Sequence, residues 1–217
     1  MKRPPPGRPK ADTPPRGGDA EGVSGARRVG LFGGTFDPVH NAHVALGRSA
    51  LDALALQEVR WVPAGQPWQK TGVSAAQHRE AMVRLAIDGE PGFVLDRCEL
   101  DRGGPTYTID TVRALAAADP GAQWFLILGA DQYAGLHTWK DWRELLARVT
   151  LAVANRPGPQ KGPDAEVLRH PHRAVPLPML DISSTDIRLR ARAGQDISQL
   201  VPPAVARYID SHALYRS

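Results

Sequence analysis

The sequence predicts an α/β fold, in which a doubly wound and mostly parallel sheet carries helices on both faces. Short segments that are apolar at almost every position alternate along the chain with segments of helical periodicity. Strands of that composition are buried on both faces, as in parallel sheets covered by crossover helices. Several apolar segments end in loops that contain glycine, aspartate or asparagine. Ligands bind beyond the carboxyl ends of the strands in such folds, so we expect the binding site there.

The predicted strands and helices follow one another without an internal repeat, and loops with glycine or proline separate them. We predict strands at 28–34, 58–65, 92–100, 123–131, 149–158 and 173–180. We predict helices at 41–56, 74–88, 107–119, 142–149, 183–194 and 202–215. Ser74 is expected to be the N-cap of the second helix. The prolines of the last strand segment indicate an edge strand or an irregular one.

The composition indicates a globular protein in a reducing compartment. The chain has 217 residues, of which 42% are hydrophobic and 23% are charged, and this length suffices for one well-filled core. Cys98 is the only cysteine, which rules out an internal disulfide and favours a cytoplasmic location. We expect Cys98 to fill the core, since nothing near it favours a nucleophile. No apolar run is long enough to span a membrane, so no membrane association is expected.

The excess positive charge lies in an N-terminal tail. Residues 1–28 contain seven basic and three acidic residues, which accounts for the whole formal net charge of +4. The rest of the chain is balanced, so its charge gives no reason to expect a nucleic-acid partner. Residues 1–27 are rich in proline, glycine and charge and nearly lack apolar side chains. We expect this tail to be disordered, and residues 28–217 to form a single domain.

The segment LFGGTFDPVHNAHV at 31–44 is the first candidate for a binding site. Gly33 and Gly34 allow a sharp turn and the close approach of a ligand to the backbone. The helix that follows directs its free N–H groups at the same place, which favours an anion. His40 and His43 are at i and i+3 and project from one face of the first turn. These features predict a phosphate-sized pocket with two imidazoles, although two surface histidines after a glycine turn are an equally good interpretation of the pair alone.

Spacing excludes three common alternatives for this segment. Histidines at i and i+3 do not match the i, i+4 pair of H-E-x-x-H zinc sites. The segment lacks the G-K-[ST] ending of a P-loop, and it also lacks the G-x-G-x-x-G pattern of dinucleotide-dependent redox enzymes. The sequence therefore predicts neither a metalloprotease, nor an ordinary NTPase, nor a dehydrogenase.

The segment DISSTDIR at 181–188 is the second candidate. Hydroxyl groups at a helix N-terminus bind anions, and Arg188 adds a donor pair suited to phosphate. Taken alone, Ser183 or Ser184 is simply an N-cap, and Arg188 is a solvated helix residue. Two phosphate-type sites in one α/β domain favour a substrate with a polyphosphate chain.

These two motifs resemble those of a known superfamily. GGTFDPVHNAH at 33–43 resembles the (H/T)-x-G-H signature of nucleotidyltransferases, and ISSTDIR at 182–188 resembles their S-x-T-x-x-R motif. The combination is similar to bacterial nicotinate-mononucleotide adenylyltransferases, which are Rossmann-like enzymes of NAD biosynthesis. Similar segments extend to the end of the chain: VPAGQPWQK at 62–70, PTYTIDT at 105–111, GADQYAGLHTWKDW at 129–142, ANRPG at 154–158 and VPPAVARYIDSHALY at 201–215. One position departs from the pattern, because Ala42 stands where the family usually has glycine.

The resemblance implies that nicotinate mononucleotide attacks the α-phosphate of ATP and that pyrophosphate leaves. It implies Mg²⁺ as a cofactor, held mainly by ATP phosphates and water, since the sequence offers no carboxylate cage. The catalytic residues it implies are His40, His43 and Arg188. The further ATP-binding residues it implies are Gly33, Gly34, Thr35, Phe36, Asp131, Arg156, Ser183 and Thr185. Asp131 is assigned to a ribose hydroxyl, and Arg156 is assigned to phosphate.

For the second substrate, the resemblance implies four residues. Trp139 would stack on the pyridine ring, and backbone N–H groups near Thr108 and Lys140 would bind its carboxylate. Lys70 would contact the mononucleotide phosphate. Each has a plainer alternative, with Trp139 as a half-buried core residue and Lys70 as a solvated lysine.

Three other functions remain open. The acceptor is alternatively nicotinamide mononucleotide, which differs by one charge, or another phosphorylated compound. A third alternative is a nucleotide-binding homologue without catalysis, which only Ala42 supports. The sequence leaves the oligomeric state open between monomer and homodimer.

Overall fold

The protein contains a six-stranded parallel sheet. The structure is a computed structural model that describes residue 1 and residues 25–67, 72–155, 162–177 and 180–216. The described strands are β1 (Arg27–Gly34), β2 (Glu58–Pro63), β3 (Phe93–Leu95), β4 (Ala122–Leu128), β5 (Thr150–Asn155) and β6 (His172–Pro176). They lie in the order β3-β2-β1-β4-β5-β6, and every adjacent pair is parallel. The predicted α/β fold is therefore confirmed, with the proline-containing β6 at an edge.

Nine α-helices are described in these ranges. They are α1 (Asn41–Ala53), α2 (Ala76–Ile87), α3 (Cys98–Arg102), α4 (Thr108–Ala118), α5 (Ala130–Ala134), α6 (Trp142–Arg148), α7 (Ala165–Leu168), α8 (Ser184–Arg192) and α9 (Pro203–Ser211). A short 3₁₀ helix, Leu136–Thr138, follows α5. Within the described residues, no helix has the length and apolar character that crossing a membrane requires.

The helices cover the sheet on both faces, which explains why the strands are apolar at nearly every position. In β1, Phe32 faces a core cluster that includes residues of α1, α2, α8 and α9. Its neighbour Leu31 faces the opposite cluster, which α4, α5 and α6 complete. Ile127 and Leu126 of β4 divide between the two clusters in the same way. Successive side chains of a strand point to opposite faces, so burial on both sides requires apolar residues throughout.

The direction in which the strands are added reverses between β1 and β4. The chain builds β1, β2 and β3 outward in one direction, and then returns to place β4 on the other side of β1. Leu31 of β1 pairs with Leu126 of β4, so the two strands end at a common edge. The loops that leave them diverge, and this opens a crevice at the point where doubly wound folds bind ligands.

Three predictions were wrong in part. Only Phe93–Leu95 of the predicted strand 92–100 is extended, and α3 begins at Cys98. The Asp96 side chain accepts the Cys98 N–H at 2.9 Å, which stabilises the start of that helix. Ser74 is not the N-cap of α2, since that position is occupied by Ala75. β1 also begins at Arg27, which the sequence assigned to the tail.

Candidate active site

A cavity of about 680 Å³ lies at the carboxyl ends of β1 and β4. It is lined by every predicted site residue that the structure describes: Gly33, Gly34, Thr35, Phe36, His40, His43, Thr108, Asp131, Trp139, Lys140, Ser183, Thr185 and Arg188. Lys70 and Arg156 lie outside the described residues. The two motifs that the sequence singled out, 31–44 and 181–188, therefore meet at one site although about 140 residues separate them.

The glycines of the first motif have different surroundings. A methyl group added at Gly34 would lie 2.9 Å from the ring of Phe36, so the loop has no room for a larger residue there. A methyl group at Gly33 would meet no protein atom within 4 Å, although Gly33 lines the cavity. Phe36 adopts a left-handed backbone conformation with φ 51°, which is unfavourable for a bulky residue. Its buried ring packs edge-on against Phe32 and offsets that strain.

The two histidines lie at the start of α1 and their rings stack. His40 is the N-cap residue, and its backbone N–H donates to Nδ1 of His43 at 3.2 Å. Because Nδ1 of His43 accepts this hydrogen bond, a neutral His43 carries its proton on Nε2. Both rings line the cavity. The arrangement combines ring N–H donors with the positive end of the α1 dipole, which suits an anion.

The second motif packs directly against the first. The hydroxyl of Ser184 donates to the carbonyl oxygen of Pro38 at 2.9 Å. Arg188 donates from Nη1 to the carbonyl oxygen of Asp37 at 2.7 Å and from Nη2 to Oγ1 of Thr185 at 3.4 Å. Ser183 is the N-cap of α8, and its hydroxyl accepts the N–H of Asp186 at 3.1 Å. Ser183 thus caps a helix and also lines the cavity. Its role as an N-cap and its predicted role in binding phosphate are therefore compatible.

Arg79 of α2 holds the loops that border the cavity, and nothing in the sequence indicated this role. Its side chain is 1% exposed and donates to three carbonyl oxygens: Nε to Ser74 at 3.0 Å, Nη1 to Thr35 at 3.1 Å and Nη2 to Gly65 at 3.0 Å. Burial lowers the pKa of Arg79, while the nearby charge of Asp37 raises it. An arginine in a helical segment gives no signal of burial in the sequence. Arg79 joins the loops that follow β1 and β2.

Asp37 was also missed, although it lies inside the first motif. Its carboxylate is 4% exposed. Oδ2 accepts the backbone N–H of Ser74 at 3.1 Å, and Oδ1 accepts the hydroxyl of Tyr215 at 2.7 Å. The first of these contacts explains why Ser74 does not cap α2, since its backbone is held by Asp37. An aspartate between Phe36 and Pro38 is the only signal in the sequence that could have suggested this role.

The opposite end of the cavity lies at the start of α4. Thr108 is the first residue of that helix and Tyr107 is its N-cap. The Nζ atom of Lys140 lies 4.5 Å from the centre of the Tyr107 ring and 3.4 Å from Oδ2 of Asp110. Trp139 is half-buried and packs against the core cluster on this face of the sheet. This part of the cavity is therefore bordered by the N-terminus of α4, the ammonium group of Lys140 and the indole of Trp139. Such surroundings suit a flat ring that carries a negative charge.

Glu99 is a buried acidic residue on the cavity wall that the sequence analysis missed. It is 7% exposed, and its Oε1 atom accepts the hydroxyl of Thr111 at 2.6 Å. Thr111 in turn accepts a hydrogen bond from Arg102 at 2.8 Å. Burial raises the pKa of Glu99, and the hydrogen bond from Thr111 opposes this shift. The neighbouring Cys98 has a pKa raised to about 12, mainly by burial, so it stays a thiol and is a poor nucleophile.

Comparison with known proteins identifies the family. The Cytidylyltransferase-like family model matches residues 31–190. A relative from Methylibium petroleiphilum, named "Probable nicotinate-nucleotide adenylyltransferase", is 50% identical over 200 residues, which cover 89% of this chain and 94% of the relative. A relative of the same name from Bordetella petrii is 48% identical over 197 residues, which cover 88% of this chain and 100% of the relative. The chain belongs to the nicotinate-nucleotide adenylyltransferase family. The resemblance found in the motifs is confirmed.

Solved structures of the nicotinate-nucleotide adenylyltransferase type share the fold. The Plasmodium falciparum nicotinic acid mononucleotide adenylyltransferase, complexed with APC, has a TM-score of 0.73 and 20% identity, covering 87% of this chain and 97% of that one. A structure from Vibrio parahaemolyticus, named "Putative Nicotinate-nucleotide Adenylyltransferase", has a TM-score of 0.67 and 19% identity, covering 88% of this chain and 96% of that one. At these identities the likeness concerns the fold alone.

Two features bear on how a nicotinate-nucleotide adenylyltransferase would use this cavity. Ala42, at the usual glycine position of the family motif, is the second residue of α1 and lines the cavity. Ala42 is also a member of the core cluster on the face of the sheet that α1 covers, so its side chain forms part of the cavity wall. In the part of the chain that the structure describes, no group of three or more His, Cys, Asp or Glu residues is placed to hold a metal ion.

Proposed function

We propose that this protein transfers the adenylyl group of ATP to nicotinate mononucleotide, giving nicotinate adenine dinucleotide and pyrophosphate. The observation that carries the proposal is the convergence of α1, with His40 and His43, and α8, with Arg188, on one cavity in a chain of this family. Two helix N-termini and an arginine form an anion site large enough for a polyphosphate. A third N-terminus, that of α4, borders the same cavity.

The proposed reaction is a direct displacement at phosphorus. A phosphate oxygen of the mononucleotide attacks the α-phosphorus of ATP, and the bond from that phosphorus to the bridging oxygen of the β-phosphate breaks. The electron pair leaves with pyrophosphate. The attacking group is already an anion, so no general base and no covalent intermediate are needed. Catalysis then depends on positioning both substrates and on stabilising the charge that develops on the phosphates.

His40, His43 and Arg188 are the residues we assign to that stabilisation. The Nε2–H of a neutral His43 is a donor for the ATP phosphates, because Nδ1 is engaged by the His40 backbone. Arg188 uses one N–H on the Asp37 carbonyl and one on Thr185, and a guanidinium has five N–H donors. The other donors of Arg188 can bind the β- and γ-phosphates together with Ser183 and Thr185. Gly33 to Phe36 and Asp131 are assigned to the remainder of ATP.

Mg²⁺ is proposed to enter with ATP. The donor chemistry of the cavity fits this assignment, because Asp37 is committed to Ser74 and Tyr215, and Mg²⁺ commonly retains several waters while bound to substrate phosphates. When bound, it would neutralise part of the polyphosphate charge. His40, His43 and Arg188 would then orient the β- and γ-phosphates for departure.

Nicotinate mononucleotide is proposed to bind at the α4 end. Trp139 would stack on its pyridine ring, and backbone N–H groups near Thr108 and Lys140 would bind its carboxylate. The half-burial of Trp139 and the placement of Lys140 over the Tyr107 ring support this assignment. The phosphate contacts expected from Lys70 and Arg156 remain predictions.

The decisive experiment follows pyrophosphate release from the protein with ATP, Mg²⁺ and either nicotinate or nicotinamide mononucleotide. Fast release with the acid and little with the amide supports the reaction and the carboxylate site. Comparable rates with both would retain the chemistry and overturn the assignment at Thr108 and Lys140. No release with either acceptor would favour a non-catalytic homologue or another phosphorylated substrate. The Ala42→Gly variant then tests whether the Ala42 methyl group is the cause. Pyrophosphate release that returns in this variant would mean that the methyl group hinders ATP binding.

A further inference from the structure

The closing segment of the chain, which comprises α9 and residues 212–216, contacts Asp37 beside the cavity, and its last turn has an unfavourable backbone conformation. After α9 the chain turns back, with the N–H of Leu214 donating to the carbonyl of Ile209 at 3.0 Å. Ala213 and Tyr215 have φ values of 49° and 68°. Left-handed conformations are unfavourable for residues other than glycine, and they persist only where surrounding contacts compensate. The Tyr215 side chain makes a contact that can compensate for this conformation.

The Tyr215 hydroxyl donates to Oδ1 of Asp37 at 2.7 Å. This carboxylate is buried, so its charge needs donors and a nearby cation. Ser74 supplies a second hydrogen bond, to Oδ2, and Arg79 supplies the nearby positive charge. Tyr215 is thus one of three groups that stabilise a single charged side chain, and it comes from a part of the sequence far from Ser74 and Arg79.

Asp37 connects this network to the proposed phosphate site. The carbonyl oxygen of Asp37 accepts the 2.7 Å hydrogen bond from Arg188. His40, the N-cap of α1, follows Asp37 by three residues. Arg79, which balances the charge of Asp37, also holds the carbonyl of Thr35. A displacement of Asp37 would therefore move Arg188 and the glycine-rich loop together.

We propose that Tyr215 is a positioning residue for ATP, which acts through Asp37 to hold the loop at 33–40 and Arg188 in the arrangement that binds the triphosphate. The proposal rests on the proposed function. Tyr215 itself touches no reacting atom in this scheme. Its main effect is on the affinity for ATP, because the α4 end of the cavity, to which the pyridine ring is assigned, lies outside the network.

The hydroxyl is suited to this role because it stays protonated. Burial and the adjacent Asp37 carboxylate both raise the pKa of Tyr215 well above the ordinary value of 10.0. Tyr215 therefore remains a hydrogen-bond donor at every pH at which the protein is expected to work, and the contact does not depend on pH there.

Tyr208 provides a matched control in the same segment. It lies on α9, and its hydroxyl is 2.9 Å from Nδ1 of His78 on α2. Tyr208 and Tyr215 thus each join the closing segment to the rest of the protein by a hydroxyl contact. Tyr208 does not contact Asp37 or Arg188 through any described hydrogen bond, so it reports the effect of loosening the segment alone.

The test compares Tyr215→Phe with Tyr208→Phe by steady-state kinetics and by the rise of Tm with ATP concentration. We expect Tyr215→Phe to raise the KM for ATP and the Kd for ATP by about tenfold, the usual scale for a lost hydrogen bond to a charged group. The KM for the mononucleotide should change by less than about twofold. Tyr208→Phe should leave all three constants near those of the wild type, even if its Tm falls.

The Tm series keeps the test valid for a destabilised variant, because ligand-induced stabilisation depends on the affinity of the folded form. An unchanged ATP affinity in Tyr215→Phe would overturn the proposal, as would equal losses of ATP affinity in both variants. Failure of the proposed function is seen separately, as an absence of pyrophosphate release by the wild type. ATP binding in the Tm series does not require turnover.

Discussion

The imidazole rings of His40 and His43 stack with their centroids 3.6 Å apart and their planes inclined by 23°. The stacking and the hydrogen bond from the His40 backbone to His43 fix both rings at the N-terminus of α1. Side chains that are fixed before the substrate arrives need no reorganisation when charge develops, and this makes their contribution to catalysis large. The histidine pair is thus a preorganised part of the proposed phosphate site.

Replacement of His43 tests that contribution. We expect His43→Ala to lower kcat by about 10²-fold, the scale for losing one preorganised donor. The free energy of unfolding should fall by about 1 kcal/mol, because the N-cap backbone loses its acceptor. The measurements are pyrophosphate release and urea denaturation. His137→Ala is the control, since His137 is exposed and does not line the cavity. Near-wild-type turnover in His43→Ala would remove His43 from the catalytic residues.

Replacement of Trp139 tests the second-substrate site. We expect Trp139→Ala to raise the KM for nicotinate mononucleotide by about tenfold or more, as stacking on a base contributes about 1–3 kcal/mol. The KM for ATP should stay within about twofold of the wild-type value. Trp142→Ala is the matched control, because Trp142 is buried on α6 and does not line the cavity. An equal rise of both Michaelis constants in Trp139→Ala would mean that Trp139 is structural.

The two adjacent glycines predict opposite outcomes on substitution. Gly33→Ala places a methyl group in open cavity space, so we expect an unchanged Tm and a higher KM for ATP. Gly34→Ala places its methyl group 2.9 Å from the Phe36 ring, and such overpacking destabilises proteins by about 1–3 kcal/mol. Differential scanning calorimetry and ATP titration distinguish the two. A fall in Tm for Gly33→Ala with unchanged ATP affinity would contradict this account of the loop.

Glu99 predicts a pH dependence of stability. Burial raises the folded-state pKa of Glu99 above 4.5, so between pH 4.5 and the folded pKa the native state holds a proton that the unfolded state has lost. The contribution of Glu99 to stability is thus complete below pH 4.5 and declines as pH rises through the folded pKa. Glu99→Gln lacks this titration.

The difference in unfolding free energy, Glu99→Gln minus wild type, should therefore increase with pH. Urea denaturation at several pH values from 4 to 8 measures it. The Glu144→Gln variant is a useful comparison, because arginine contacts lower the pKa of Glu144 to about 2. A difference for Glu99→Gln that is constant over the same range would show that Glu99 has an ordinary pKa.

Local pattern was sufficient to predict most of the sheet and the helix starts at the two motifs, whereas the joining of the motifs in one site followed from the family resemblance. Leu31 and Phe32 are both apolar because the sheet is covered on both faces, and this composition is visible in the sequence. His40 and Ser183 are each the N-cap of a helix, close to the helix starts predicted at 41 and 183. Their meeting depends on the packing of α8 against the loop after β1, because β6 lies three strands away from β1. The strands and the helix starts depend on periodicity and on helix capping, which act over a few residues.

The contacts that hold the site together were not predictable in this way. In the sequence Arg79 resembles a solvated helix residue, whereas in the structure it contacts three carbonyl oxygens of the two loops that follow β1 and β2. The short α3 was hidden because it has only five residues, too few to show a helical periodicity, and it follows closely on the apolar residues Phe93–Leu95. Such features arise from tertiary packing between distant segments, and a single sequence contains no local signal for them.

Asp37 and its hydrogen-bond partner Tyr215 are synthesised at very different times. Tyr215 follows Asp37 by 178 positions, so a ribosome finishes β1, its loop and α1 long before the last partner of this carboxylate exists. A buried polar group without its partner is unfavourable by about 1–3 kcal/mol, and a charged one by more. We therefore expect the loop after β1 to be fixed late, once Tyr215 has been synthesised and can contact Asp37. The proposed phosphate site would then be completed by a residue made long after its first motif.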